Sequence, residues 1–310
     1  MFYSQASASA SGLARATASA IASTSVSVTS SATSDVSQKD ADNLALSTAQ
    51  KEAEQLALIN ANEIANDILV GNNELVIISA LQEEFLINYS NDEKIKITLV
   101  TTSPFPTYRV VTNDTECLYI VSGVGKANSA ASIMYAINGL GANKIVWFGT
   151  SGGALPKYNI NDIVIIKKSI YIDADYTAFG YALGQMAGED LFQYTSEDFS
   201  NLNYELLQKD TKLITYNDGT SGTCDQFVTN FELLDKFPPS YDIGLVDNEN
   251  TSALQIINSL NKKSCIIRYI SDDLTDSIDG QVQTFDKTLV FCSIFFRKYF
   301  YENLNAIKNF

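Results

Sequence analysis

The sequence predicts an α/β fold: a mixed, twisted sheet flanked by helices, preceded by a low-complexity tail and a helix. Three observations carry that expectation. From residue 74 to residue 309, apolar runs of strand length alternate with helical patterns, as they do where crossover helices join strands. At the centre, Ile145-Val146-Trp147-Phe148 reads as a strand buried on both faces, and Gly149-Thr150-Ser151-Gly152-Gly153 follows it at once. Before all of this, residues 1–40 are dominated by Ser, Ala and Thr and carry few large apolar side chains.

Residues 1–40 form the tail. With little apolar area to offset the entropy of ordering, the segment is expected to be disordered or tethered. Part of it alternates, as in Ser7-Ala8-Ser9-Ala10-Ser11, and the stretch 13–22 is compatible with helix. Residues 41–70 read as an amphipathic helix or oligomerising stalk. Leu46, Ala49, Ala53, Ala57, Ala61, Ile64 and Ile68 recur at steps of three or four. Those positions cover 22 residues in six turns, about 3.67 per turn, which favours a nearly straight or slightly right-handed bundle. Gly71-Asn72-Asn73 is the expected stop.

Residues 71–310 are then one domain. Strands are expected at 74–80, 94–100, 108–112, 117–124, 145–148, 163–172, from Lys212, at 243–247 and at 264–271. Helices are expected to start at 81–85 and to cover 125–140, 196–208, 231–237, 251–260 and 285–309, the last with an aromatic face. In such sheets ligands sit beyond the carboxyl ends of the strands, and three glycines at 149, 152 and 153 allow backbone to approach a sugar or an anion.

Composition narrows the chemistry. A net charge of −15, with no block of Lys and Arg to offset it, argues against nucleic acid as a partner. The absence of histidine excludes His-based triads, His metal sites and imidazole acid–base catalysis, so proton transfer falls to carboxylates. No run approaches the roughly 18 apolar residues of a membrane span, and the N-terminus lacks the form of a secretory signal. Cys117, Cys224, Cys265 and Cys292 show no Cys-x-x-Cys spacing and read as buried thiols of a protein in the cytoplasm or another reducing intracellular compartment.

Three acidic groups stand where strands are expected to end: Glu83-Glu84, Asp247-Asn248-Glu249 and Asp272-Asp273. Strand ends converge in space. Carboxylates gathered there suit glycosidic bond cleavage, whose oxocarbenium-like transition state is cationic.

The chain from about 74 to 309 resembles the purine nucleoside phosphorylase superfamily, and most closely its 5′-methylthioadenosine/S-adenosylhomocysteine nucleosidase branch. The most distinctive match is Tyr171-Ile172-Asp173-Ala174-Asp175-Tyr176-Thr177-Ala178-Phe179-Gly180-Tyr181, followed by Gly184-Gln185. Gly123-Val124-Gly125-Lys126, the turn 149–153 with Leu155-Pro156, and Arg268-Tyr269-Ile270-Ser271-Asp272 support it in the family's order. The resemblance implies a phosphorylase-like sheet, a small-molecule nucleoside substrate, no cofactor and no metal. It implies that Asp272 protonates adenine N7 as general acid and that Glu84 activates water as general base. Glu249 would hold the ribose hydroxyls, with Thr150 and Ser151 lining the ribose pocket. Phe227 would stack on adenine, the Val228 backbone would read its edge, and Phe285 and Asn248 would border the sugar and 5′ side. The family's Glu-Met-Glu-Ala is Asp247-Asn248-Glu249-Asn250 here, and a family histidine is Ile172.

Three functions follow from these residues. The first is hydrolysis of a 5′-thio-substituted adenosine; the second is phosphorolysis. Against the second, phosphorylases carry a Gly-Asp-x-Arg anion turn where this chain has Ser79-Ala80-Leu81-Gln82-Glu83-Glu84, and two carboxylates there repel phosphate. The third is a catalytically weak adenosine-binding or structural protein that displays the fold on an oligomeric stalk. A homo-oligomer, dimer or trimer, is expected through residues 173–185, and a larger assembly through the N-terminal tail.

Overall fold

The structure, a computed structural model, describes residues 2–15, 21–70, 74–87, 94–112, 115–210, 214–275 and 278–310. The chain divides into two compact units, Met1–Asn73 with Leu99–Thr107, and Glu74–Thr98 with Tyr108–Phe310.

In the first unit the alternating Ser/Ala tail forms two paired strands. Strand β1 (Phe2–Arg15) pairs antiparallel with β2 (Ile21–Ser34), from Phe2 opposite Ser34 to Arg15 opposite Ile21. Residues 16–20, within the stretch compatible with helix, lie outside the described residues. A two-residue side-chain period divides the two faces of the pair. Ala6, Ala8, Ala10, Val26 and Val28 are half-buried, while Ser7, Ser9, Ser27 and Thr29 are exposed. Helix α1 (Gln38–Val70) packs across the two strands. Its start is capped by Ser37, whose Oγ accepts the Asp40 amide at 3.1 Å and donates to the Asp40 carboxylate at 2.7 Å. The buried line is Ala41, Ala45, Ala49, Ala53 and Ala57, one methyl every four residues. Leu46, expected on that line, is 53% exposed, because a four-residue step leaves position 46 to one side. The side chains of Ala61, Ile64 and Ile68, and the stop at 71–73, lie outside the described residues.

The strands that follow are β3 (Leu75–Ser79), β4 (Lys96–Thr101), β5 (Thr107–Val111), β6 (Glu116–Val121), β7 (Lys144–Gly153), β8 (Ile163–Tyr171), β9 (Gln193–Tyr194), β10 (Thr215–Thr223), β11 (Leu245–Asp247) and β12 (Lys263–Asp273), all in the second unit except Leu99–Thr101 of β4 and Thr107 of β5. The helices are α2 (Glu83–Leu86), α3 (Lys126–Met134), α4 (Glu197–Asp210), α5 (Asn250–Ser259) and α6 (Ile278–Asn309). The sheet runs β11-β10-β8-β12-β7-β3-β6-β5-β4. It is mixed: β3, β7 and β12 are parallel neighbours, whereas β12 and β8 are antiparallel. The end of β11 also pairs antiparallel with the end of β7, Val246 opposite Gly152. That second pairing closes β7, β12, β8, β10 and β11 into a ring and gathers several strand ends around one opening.

The central stretch differs from expectation. Residues 149–153 do not end the strand; β7 runs through them to Gly153. Its neighbours explain the glycines, since a Cβ on Gly149 would overlap the Arg268 guanidinium and one on Gly152 would lie 3.1 Å from Asp272 Oδ2. Other boundaries shift. The helix at 125–140 is α3 continued by a π-turn, Tyr135–Gly139. The segment 231–237 holds only a short 3-10 turn, Leu234–Lys236. Strand β10 begins at Thr215, with 211–213 outside the described residues, and α6 begins at Ile278 rather than at Phe285.

One face of the sheet is covered by the aromatic side of α6. Phe296 stacks on Phe148 at 4.1 Å between centroids, and Phe300 meets Phe148 edge-on at 4.4 Å, arrangements that add to simple area burial. All four cysteines are buried and free. No helix among the described residues is long and apolar enough to cross a membrane.

Candidate active site

Every residue to which the family resemblance assigns a role reaches one cavity of about 400 Å³, whereas Glu83 and Asp273 do not line it. Glu84, Thr150, Ser151, Phe227, Val228, Asn248, Glu249, Asp272 and Phe285 all line it. They arrive from different elements. Glu84 comes from α2 after β3, Thr150 and Ser151 from the end of β7, and Phe227 and Val228 from the segment after β10. Asn248 and Glu249 follow β11, Asp272 ends β12, and Phe285 is on α6.

Glu84 is buried, and both of its oxygens are occupied. Oε2 accepts the Ala80 and Leu81 amides at 3.1 and 3.0 Å; Oε1 accepts the Thr150 amide and hydroxyl at 2.8 and 3.0 Å. These four bonds fix the carboxylate between β3 and β7. Burial pushes its pKa up, against the opposing pull of Arg268 and the bonds themselves. Asp272 is 2% exposed, and its Oδ1 accepts the Ser271 hydroxyl at 2.6 Å. Burial raises its pKa too, and the neighbouring Asp273 adds to the rise, so the group keeps its proton to higher pH than an ordinary aspartic acid. Burial takes the Glu249 carboxyl up to about 7, with Arg268 opposing and Asp247 and Glu84 reinforcing the rise.

Arg268 is the centre of charge in this arrangement, although sequence reasoning gives it no role. It is 1% exposed. Nη2 lies 3.2 Å from Glu249 Oε2, Nη1 donates to Thr150 O at 3.0 Å, and Nε donates to Asn250 Oδ1 at 2.9 Å. Nη2 also donates to Asn250 Oδ1. The available signal was a lone arginine inside the apolar run Cys265-Ile266-Ile267-Arg268-Tyr269-Ile270, since a buried charge needs partners.

The departures from the family pattern find structural employment. Asp247 Oδ1 accepts the Thr223 hydroxyl at 2.9 Å and the amides of Glu249 and Asn250 at 2.8 and 2.7 Å, so it shapes the start of α5. Asn250, fully buried, receives Arg268. Asn248 Nδ2 donates to Cys224 O and, at 3.0 Å, to Gln226 O. Ile172 belongs to an apolar cluster with Ile170, Cys224 and Val228. Two buried polar atoms of cavity-lining residues, Ser151 Oγ and Asp247 Oδ2, have no protein partner, as expected where a ligand supplies hydrogen bonds.

Phe227 is 50% exposed at the cavity. Its ring is therefore open to the cavity rather than enclosed. Among the described residues that line it none is Lys or Arg, whereas Glu84, Asp247, Glu249, Asp272 and Asp286 all line the space.

This fold and site define an α/β domain with strand-end carboxylates gathered around an aromatic-edged pocket. Residues 74–292 match the phosphorylase superfamily, and the chain belongs to it. Among curated relatives, a 5′-methylthioadenosine/S-adenosylhomocysteine nucleosidase of Geobacillus sp. (strain WCH70) is 28% identical over 203 residues, covering 64% of this chain and 85% of that protein. An aminodeoxyfutalosine nucleosidase of Campylobacter jejuni is 28% identical over 157 residues, covering 51% of this chain and 68% of its own. Among solved structures, an S-adenosylhomocysteine nucleosidase from Streptococcus pyogenes in complex with 5-methylthiotubericidin superposes with a TM-score of 0.63 at 25% identity, covering 76% of this chain and 98% of that one.

Proposed function

We propose that the chain is a cofactor-free N-glycosidase that hydrolyses 5′-methylthioadenosine, S-adenosylhomocysteine or a related adenosine to adenine and a thioribose. The observation that carries this reading is the convergence of Glu84, Glu249 and Asp272 on one cavity, with Arg268 set behind them. Asp272 gives its proton to adenine N7 as the C1′–N9 bond breaks, so that the base leaves neutral. Water forms the new bond to C1′ and passes its proton to Glu84. The carboxylates stabilise the positive charge that develops on the ribose. Glu249 accepts the paired ribose hydroxyls, which join Thr150 and Ser151 on that side, and the unpartnered Ser151 Oγ supports the assignment. Phe227 stacks on the base, the Val228 backbone reads its edge, and Phe285 and Asn248 border the 5′ group.

Water rather than phosphate is the nucleophile in this reading, because a phosphate dianion would meet several carboxylates and, among the described residues, no cationic lining side chain. The decisive experiment is incubation with 5′-methylthioadenosine, S-adenosylhomocysteine and adenosine, following free adenine with and without phosphate. Release independent of phosphate supports hydrolysis, and release that requires phosphate overturns it. No release, with tight binding of an adenosine analogue, replaces the enzyme by an adenosine-binding protein.

The protein works as a homo-oligomer, dimer or trimer, through residues 173–185. Phe179 in that segment is 79% exposed, which supports a covered face. The paired strands and α1 offer a second contact for a larger assembly, and four buried free thiols support a reducing compartment.

A further inference from the structure

The segment 224–228, which carries Phe227 and Val228, lies outside every strand and helix of the sheet. Its first three residues are nevertheless tied on two sides. On the sugar side, Cys224 N donates to Asp247 O at 3.1 Å, and Asn248 Nδ2 donates to Cys224 O and Gln226 O. On the other side stands an ion network. Asp225 N donates to Asp173 Oδ2 at 3.1 Å, and Asp225 Oδ1 accepts the Lys126 amide at 2.9 Å. The Lys126 ammonium lies 2.7 Å from Asp173 Oδ2 and 3.3 Å from Asp225 Oδ2. The preceding amide, Gly125 N, donates to Glu249 Oε1 at 3.2 Å. Adjacent amides of one turn therefore hold the ribose carboxylate and the base segment.

We propose that Lys126 is a positioning residue for the reaction: through Asp173 and Asp225 it holds the base-stacking segment in place, while Asn248 anchors the same segment from the sugar side. This rests on the nucleosidase reading. Lys126 does not line the substrate cavity, so it acts through the segment. Two carboxylates share one ammonium, and without it they repel each other and push Asp225 away from Asp173. A segment without ladder hydrogen bonds then samples more conformations, and the substrate must order it on binding. The loss falls on affinity, because base stacking is made in the ground state as well as in the transition state.

The test compares the full chain with its Lys126→Met, Lys126→Arg and Asp225→Asn variants. One readout is amide hydrogen exchange of residues 225–228, which needs no substrate. The other is KM and kcat for 5′-methylthioadenosine. For Lys126→Met the exchange is expected to rise ~10-fold and KM ~10-fold, with kcat changing less than ~3-fold. Lys126→Arg restores both, since the charge returns. Asp225→Asn alters a mostly exposed side chain and gives a smaller change of the same kind, which decides the matter if Lys126→Met does not fold. Unchanged exchange in the folded variants overturns the proposal, as does a fall in kcat with KM unchanged. If the wild type releases no adenine, the reaction reading fails while hydrogen exchange still decides the positioning role.

Discussion

Replacing Arg268 with Met tests the electrostatic frame of the site. The substitution keeps an unbranched apolar stem but removes a guanidinium that is 1% exposed and touches Glu249, Thr150 and Asn250, with Asp247 Oδ1 at 3.8 Å. Removing one partner of a buried ion pair costs about 3–5 kcal/mol, because the other charge stays buried and unpaired. For a unit of this size, each kcal/mol moves the melting temperature by about 2–4 °C, so a drop of roughly 10 °C is expected. The deficit depends on pH in a definite sense. In the wild type the Glu249 carboxyl is raised from 4.5 to about 7, so the folded state holds a proton that the unfolded state has released between those values. By linkage that contribution to stability is present below about 4.5 and is lost as pH rises through about 7. Arg268 opposes this loss by favouring ionised Glu249 and Glu84. Its removal therefore costs least where these groups are protonated and most above pH 7. The assay is urea unfolding at several pH values between 5 and 8, followed by the fluorescence of Trp147, the single tryptophan, which is buried in β7. A deficit below about 1 kcal/mol, the size of an exposed pair, or one that narrows with rising pH, refutes the account.

Asp272→Asn is expected to reduce adenine release by ~10²–10⁴-fold, about 3–5 kcal/mol of barrier, while analogue binding survives. Since burial raises the Asp272 pKa, the wild-type rate falls at high pH as the acid loses its proton; the pH–rate profile of the variant lacks that limb, and turnover within ~10-fold of wild type removes the general-acid role. Glu84→Gln is expected to cost a comparable factor, read in the same adenine assay. Phe227→Ala weakens adenine-containing ligands by ~1–3 kcal/mol with less effect on melting temperature; calorimetry showing unchanged affinity and a large stability loss makes Phe227 a core residue. Light scattering of a chain beginning at Asn72 is expected to show a dimer or trimer; a monomer at micromolar concentration counts against the contact through 173–185. An unchanged oligomer number on restoring residues 1–71 leaves α1 without an oligomerising role.

What the sequence by itself determined was the α/β domain and nine of the residues that line the cavity. Buried strands announce themselves because both faces must be apolar, as in Ile145-Val146-Trp147-Phe148, and strand ends bearing Glu84, Glu249 and Asp272 converge by the geometry of a twisted sheet. The tertiary structure alone decided the rest. Alternating Ser and Ala gives so little burial energy that the pairing of β1 with β2 has no hydrophobic signature, although Ala49, Ala53 and Ala57 already marked the face of α1 that these strands cover. Residues 149–153 read locally as a turn. They remain strand because β12 lies alongside and places Arg268 where only a glycine leaves room. Asp247, Asn248 and Asn250 looked like departures from a pattern. Their work is defined by partners distant in sequence, Thr223, Cys224 and Arg268. A side chain's hydrogen-bonding capacity is written in its type, but the partner that takes it up is fixed only when the strands pack.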